Sequence, residues 1–478
     1  MATDQQQITL KVFVNKTQNC VVFVESDLDF VDVLLSFLTL PVGTVVRLLN
    51  KQSSLGCFDK LYESVEQLDE KYLMTAACRS MLTNPVNSSG VKCQKLRINI
   101  DEMGELYKCS NSCHRFSYSY YSGLKCQCGG DINKAVSYDL NRDDVNYEEF
   151  HGVFIQGAKF VVTDALCILL VEDLISTLNK CGNGDCNHLE ERSVKIEREQ
   201  VLRILKRSLV SDTPLADVLL QNGEDITPKF SDPSVEKTVE KKAFDKEKKI
   251  YKLDMVLTRN KVLYAVASQD FVDLIFSFLT FPLGSLKRHL GSRFQSIGCL
   301  NKLYGSAELL RSSGYMVAGC EERLLNPKLA PYFNCKNQVI RLEEEKQVTY
   351  YTCYCSCKLS ATTFYCQPSN HNGAHTATLI DPKSQPRGTS SSRGSYCQEL
   401  MYMVTDELVV TPLSLTEVVS FRKEISDPIK MTELSVAEEE VLDFLAVALT
   451  SNAALTDAFL ARTVGVFTSG AKGVNDTS

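Results

Sequence analysis

One stretch of this chain is written twice. Phe30-Val31-Asp32, Ser36-Phe37-Leu38-Thr39, Pro41 and Gly43 recur as Phe271-Val272-Asp273, Ser277-Phe278-Leu279-Thr280, Pro282 and Gly284, nine identities in fourteen positions at a constant offset. Gly56-Cys57, Lys60-Leu61-Tyr62 and Ser64 return as Gly298-Cys299, Lys302-Leu303-Tyr304 and Ser306. Cys78, Asn84-Pro85, Cys93 and Thr163-Asp164 return as Cys320, Asn326-Pro327, Cys335 and Thr405-Asp406. A repeat of this length constrains the fold more than composition does, because every element of one copy must have its counterpart in the other. It sets a first repeat domain at residues 8–220 and a second at 250–462. A charged linker (221–249) joins them, and a flexible tail (463–478) follows.

Each copy predicts the same elements. Leu10–Val14 and Cys20–Val24, and again Leu253–Leu257 and Val262–Val266, are β-rich runs around polar turns, which is a hairpin signal. A helix follows, capped by Ser26 or Asp27 and ended by Pro41; Gly43-Thr44 and Gly284-Ser285 predict a turn whose hydroxyl caps a second helix. A later strand pair (Phe160–Val162 with Cys167–Val171; Met401–Val404 with Leu408–Val410) precedes a closing amphipathic helix. In the second copy Ser435 with Glu438 has capping-box spacing. Hairpins mixed with amphipathic helices predict an α+β fold of two tandem homologous domains, each with a small cysteine-rich, ribbon-like insertion.

Charge excludes some functions. With 52 Lys+Arg against 59 Asp+Glu the net charge is −7, which disfavours a protein that wraps nucleic acid. No apolar run reaches the length of a membrane span, since the two best candidates are broken by Asp32 and Pro41 and by Asp164 and Glu172. Met1 to Thr9 is polar and has no secretory apolar core, so the expected compartment is the cytosol, with the nucleus as the alternative.

Nineteen cysteines in a reducing compartment read as metal ligands where they cluster and as small apolar side chains where they scatter. The clustered set is Cys109 and Cys113, then Cys126 and Cys128, with the alternating Phe116 to Tyr120 as a strand between the two turns. Zinc takes four soft ligands in a tetrahedron, supplied as pairs from two short turns, so these four are the candidate site for a structural zinc ribbon. The one-residue spacing of Cys126 and Cys128 is tighter than the usual pair. The second copy offers Cys353, Cys357 and Cys366, with Cys355, His371 and His375 nearby, as a more degenerate set. Cys181, Cys186 and His188 have no counterpart in the second copy and read as an inserted turn. The acidic pairs Asp27/Asp29 and Asp143/Asp144 read as helix-start and loop acids, and Asp32 and Asp273 as the polar face of the repeated helix. There is no glycine-rich phosphate loop, nucleophile elbow or His-Glu-x-x-His motif.

Taken together, the repeated Phe-Val-Asp…Ser-Phe-Leu-Thr-x-Pro-x-Gly, the Gly-Cys-x-x-Lys-Leu-Tyr-x-Ser segment, the Asn-Pro before the cysteine turns and the late Thr-Asp-x-Leu resemble a plant family of uncharacterised proteins. That family is defined by a tandemly repeated domain of unknown function. The resemblance covers nearly the whole chain outside the linker and tail, and implies a plant source and an intracellular protein without specifying a reaction. It also implies a mid-domain cysteine turn, matched by Cys109 and Cys113, followed by a Cys-Pro-x-Cys-like turn. Cys126-Gln127-Cys128 departs from that second turn by a residue, and the second copy keeps only Cys366.

The expected function is therefore a non-enzymatic, two-domain interaction protein with an unidentified protein partner and a structural zinc. Two alternatives stand beside it. One is an enzyme with a pocket between the domains. The other is a weak nucleic-acid binder that stacks bases on Tyr118, Tyr120 and Tyr121.

Overall fold

Alternating apolar residues build the first sheet. In strand β1 (Ile8–Asn15) Leu10, Val12 and Val14 point inward and are almost wholly buried, while the residues between them face outward. β1 pairs antiparallel with β2 (Cys20–Ser26), Val12 opposite Val24. The computed structural model describes residues 7–111, 116–126, 128–139, 152–157, 159–170, 189–220, 250–335, 338–353, 358–360, 364–366, 371–373, 375–384, 394–423, 425 and 427–463.

Helices α1 (Leu28–Ser36), α2 (Val42–Leu48), α3 (Phe58–Gln67), α4 (Ala76–Thr83) and α5 (Gly90–Cys93) follow the hairpin. Then come β3 (Leu106–Cys109), β4 (Ser117–Ser119), β5 (Leu124–Lys125), β6 (Asp131–Asp139), β7 (Phe160–Thr163), β8 (Ile168–Leu170) and β9 (Leu189–Ile196). Helices α6 (Arg198–Ser208) and α7 (Pro214–Leu219) end this half. The other half runs β10 (Tyr251–Leu257), β11 (Val262–Ser268), α8 (Gln269–Ser277), α9 (Leu283–Leu290), α10 (Leu300–Ser312) and α11 (Glu321–Leu325). Its remaining strands are β12 (Tyr350–Thr352), β13 (Lys358–Ser360), β14 (Phe364–Cys366), β15 (His371–Gly373), β16 (His375–Leu379), β17 (Met401–Thr405) and β18 (Val410–Pro412). It closes with α12 (Leu415–Lys423), β19 (Lys430–Val436), α13 (Glu438–Thr450) and α14 (Ala454–Thr463).

The chain is thus mixed α+β with several sheets. One five-stranded sheet has the order β8-β7-β2-β1-β9, and another the order β18-β17-β11-β10-β19, position for position the same arrangement. Two details differ from the expected caps. Sheet pairing with β10 holds Ser435 in β19, so α13 starts later and Glu440 accepts the Ala437 N–H instead. α2 and α9 begin right after Pro41 and Pro282, and the hydroxyls of Thr44 and Ser285 donate to the carbonyls of Pro85 and Pro327.

A single large hydrophobic cluster draws on both halves, including Phe30, Phe37 and Phe58 together with Phe271, Phe278 and Phe444. Helices cross over between the sheets. α3 lies on the second sheet, where the Val410 N–H donates to Ser64 Oγ at 2.9 Å; α10 lies on the first, where the Ile168 N–H donates to Ser306 Oγ at 2.9 Å. At the middle, Val42 N–H donates to Phe281 O and Leu283 N–H to Leu40 O, each at 3.0 Å. Cys57 N–H reaches Ala448 O at 2.9 Å and Cys299 N–H reaches Ser208 O at 2.8 Å. The glycines before them, Gly56 and Gly298, have φ +46° and +38°, and a Cβ on either would lie 2.3 Å from the same carbonyl oxygen. Only glycine fits both the conformation and the approach.

The cysteine-bearing strands of the two halves also join. β13-β12-β16-β4-β3-β6 run in hydrogen-bonded order, and β13 pairs again with β6, which closes six strands into a small barrel; β5 extends from β6. The joints between halves are parallel, β4 with β16 and β6 with β13. Leu106, Tyr118, Val136, Tyr350, Leu359, Ala377 and Leu379 form its own core. Inside it Tyr118 donates its hydroxyl to Thr352 Oγ1 at 3.0 Å. Closure leaves the six strands without open edges.

Candidate metal centre

Cys109 ends β3 on its outward face, opposite Ile132 of β6 and beside a bulge at Lys108/Cys109. Cys126 follows β5, and a tight turn returns the chain: the Gly129 N–H donates to Cys126 O, and the Cys126 N–H to Gly130 O, both at 2.8 Å. This turn resolves the short Cys126/Cys128 spacing. The Sγ atoms of Cys109, Cys126 and Cys128 all lie within 4.8 Å of one another. Cys109 Sγ and Cys128 Sγ are 3.6 Å apart. Zn–S bonds of about 2.3 Å in a tetrahedron give an S···S edge of about 3.8 Å, so this spacing suits one ion.

Around the sulfurs the donors suit thiolates. The Gly130 N–H reaches Cys128 Sγ at 3.3 Å, and Asn111 Nδ2 lies 3.9 Å from it. A Cβ at Gly130 would lie 2.6 Å from Asn111 Nδ2 and 3.2 Å from Cys109 Sγ, so a side chain there would crowd the cluster. Cys109 and Cys126 are buried in the main core and Cys128 is exposed. The donor set is soft, partly buried and supplied by two turns, which fits a structural zinc better than a hard cation.

The other predicted ligands fare differently. Cys113 and Cys357 lie outside the described residues, as do Cys355, Cys181, Cys186, His188, Asp143 and Asp144. Cys353 follows β12 and is buried, and Cys366 lies in β14 opposite His371 of β15. His375 stacks on Phe116 with ring centroids 4.8 Å apart. Among the described residues Cys109, Cys126 and Cys128 are the one group of three metal-ligand side chains brought together.

Most of the scattered cysteines among the described residues are core residues; Cys20 and Cys167 are half-buried. Burial pushes the thiols of Cys57, Cys93 and Cys299 up to about 12 and that of Cys78 to about 11, so they remain protonated and poorly nucleophilic. Cys57 and Cys299 donate to Ser451 O at 3.0 Å and Ser211 O at 2.9 Å.

Sequence reasoning missed the role of two carboxylates. Asp32 and Asp273, read as a polar helix face, are buried. Asp32 accepts the N–H groups of Val153, Phe154 and Ile155, the last two at 2.9 and 3.2 Å; Asp273 accepts those of Tyr396 and Cys397 at 2.9 and 3.0 Å. Burial pushes both carboxyls up to about 7 despite these donors. Their recurrence in the matching Phe-Val-Asp motifs, inside otherwise apolar helix faces, was the available signal. Each is boxed in by backbone and holds a loop. Asp164 and Asp406 also hold backbone, accepting the N–H groups of Leu215 and Ala216 and of Thr456 respectively. Asp27 makes no side-chain cap bond, and Asp29 pairs with Arg97 at 3.0 Å. Among the described residues no helix is long and apolar enough to cross a membrane.

Comparison with curated proteins and with solved structures finds no match. The protein-family comparison does, over residues 4–429, and the family is described as "Protein of unknown function (DUF674)". The chain belongs to that family.

Proposed function

We propose that residues 8–220 and 250–462 are two copies of one unit, joined by 221–249, that fold into each other rather than side by side. The protein is a non-enzymatic interaction scaffold of the cytosol or nucleus. Its cysteine ribbons make the barrel, and a structural zinc held by Cys109, Cys126 and Cys128, with Cys113 as the expected fourth ligand, staples it. The observation that carries the zinc is the 3.6 Å approach of Cys109 and Cys128 within a three-thiol cluster. The matched strand orders and the reciprocal bonds at Val42/Leu283 and Cys57/Cys299 support the duplication. The buried thiols of Cys57, Cys78, Cys93 and Cys299 enter no disulfide, which suits a reducing compartment. The buried carboxylates are consumed in holding backbone, which supports a scaffold over an enzyme.

The test is metal analysis of the purified full chain combined with thiol labelling. One zinc per chain is expected, with Cys109, Cys126 and Cys128 shielded until a chelator is added. A metal-free chain whose three thiols label at once overturns the reading.

A further inference from the structure

Beside the metal turns lies a cleft of about 170 Å³ between the end of α4, the 101–105 segment and the outer side of the ribbon. Its aromatic wall is built in. Tyr121 is buried, donates its hydroxyl to Asn84 O at 3.0 Å and accepts the Val86 N–H at 3.1 Å, which fixes the ring against the α4 exit. Tyr107 and Tyr120, both half-buried, extend the wall. Tyr107 shares the outward face of β3 with Cys109, so the strand that carries a zinc ligand also places this ring.

Among the described residues lining the cleft, the charged ones have one sign. Asp101 is balanced by Arg47 at 2.6 Å, but Glu102 and Glu105 are exposed and enter no ion pair among the described residues. Among the described residues no lysine, arginine or histidine lines the space, and Pro85, Val86 and Met103 give it an apolar side. Aromatic faces with nearby carboxylates attract an organic cation, and an apolar flank favours one on a methylene stem. We propose that this cleft binds the alkylammonium or guanidinium end of a basic side chain presented by the partner protein. The assignment to a protein side chain, rather than to a free amine, rests on the scaffold reading above; the cation chemistry does not.

The test uses the full chain purified with its metal and ligand-observed NMR at low salt. The probes are N-acetyl-lysine methylamide, N-acetyl-arginine methylamide, spermidine and the uncharged N-acetyl-norleucine methylamide. The basic amino-acid probes are expected to bind at least tenfold more tightly than the norleucine probe. The double variant Glu102→Gln/Glu105→Gln is expected to lose at least fivefold in that binding with its zinc content unchanged. Equal binding of charged and uncharged probes, or an unaffected double variant, overturns the proposal. A tenfold preference for spermidine over both amino-acid probes overturns its assignment to a protein side chain. Should the chain carry no zinc and still show the predicted selectivity, the metal reading fails and the cleft stands.

Discussion

A carboxyl group enclosed by apolar helix faces is costly unless backbone donors meet it, and Asp32 and Asp273 are met that way. Their raised carboxyls carry a sign. With an ordinary aspartate value of 3.8 and a folded value of about 7, the folded chain keeps protons that the unfolded chain has released between these limits. Their contribution to stability is therefore fully present below about pH 4 and is lost as pH rises through about 7. Denaturant midpoints at pH 5 and pH 8 check this: Asp32→Asn should show a smaller fall between the two than the unsubstituted chain, and an equal fall contradicts the assignment. At this scale the closeness of Cys109, Cys126 and Cys128 could be read from the sequence, because residue type and turn spacing are local. It hid the two aspartates, because their partners lie more than a hundred residues away.

Elements were legible where their two faces differ in polarity. The hairpins β1–β2 and β10–β11 and the closing helices α6 and α13 fall where periodicity places them, with boundaries shifted by a few residues. β9 and β19 were not anticipated. Each is a sheet edge, and the Leu-Glu-Glu-Arg-Ser-Val-Lys-Ile sequence of β9 is largely exposed, so it lacks the apolar alternation that announces a strand. Nor could periodicity say which sheet a helix covers: α3 and α10 each cross to the sheet of the other half. The crossings depend on Gly56 and Gly298. Gly298→Ala forces a side chain into a left-handed conformation against the Ser208 carbonyl, and should cost about 2–4 kcal/mol in denaturant unfolding. A loss below about 0.5 kcal/mol would mean that the crossing relaxes without strain.

At the scale of the molecule, the two proposed units are interleaved. Neither half completes its own surroundings, because each sheet borrows a helix and the barrel borrows three strands from each side. The sequence displayed recurring motifs but no interlocking, since similar units can stand apart on a linker or fold through one another with the same pattern of apolar residues. Interlocking makes opening a shared event, and an ion bound only by the folded cluster adds to the stability of both halves. Hydrogen exchange followed by mass spectrometry in mild denaturant, with peptides covering β2 and β11, reads this directly. Both strands should open with the same free energy and should weaken together when zinc is chelated. Independent opening of β2 and β11, or protection indifferent to the metal, would contradict a single metal-stapled, interlocked fold.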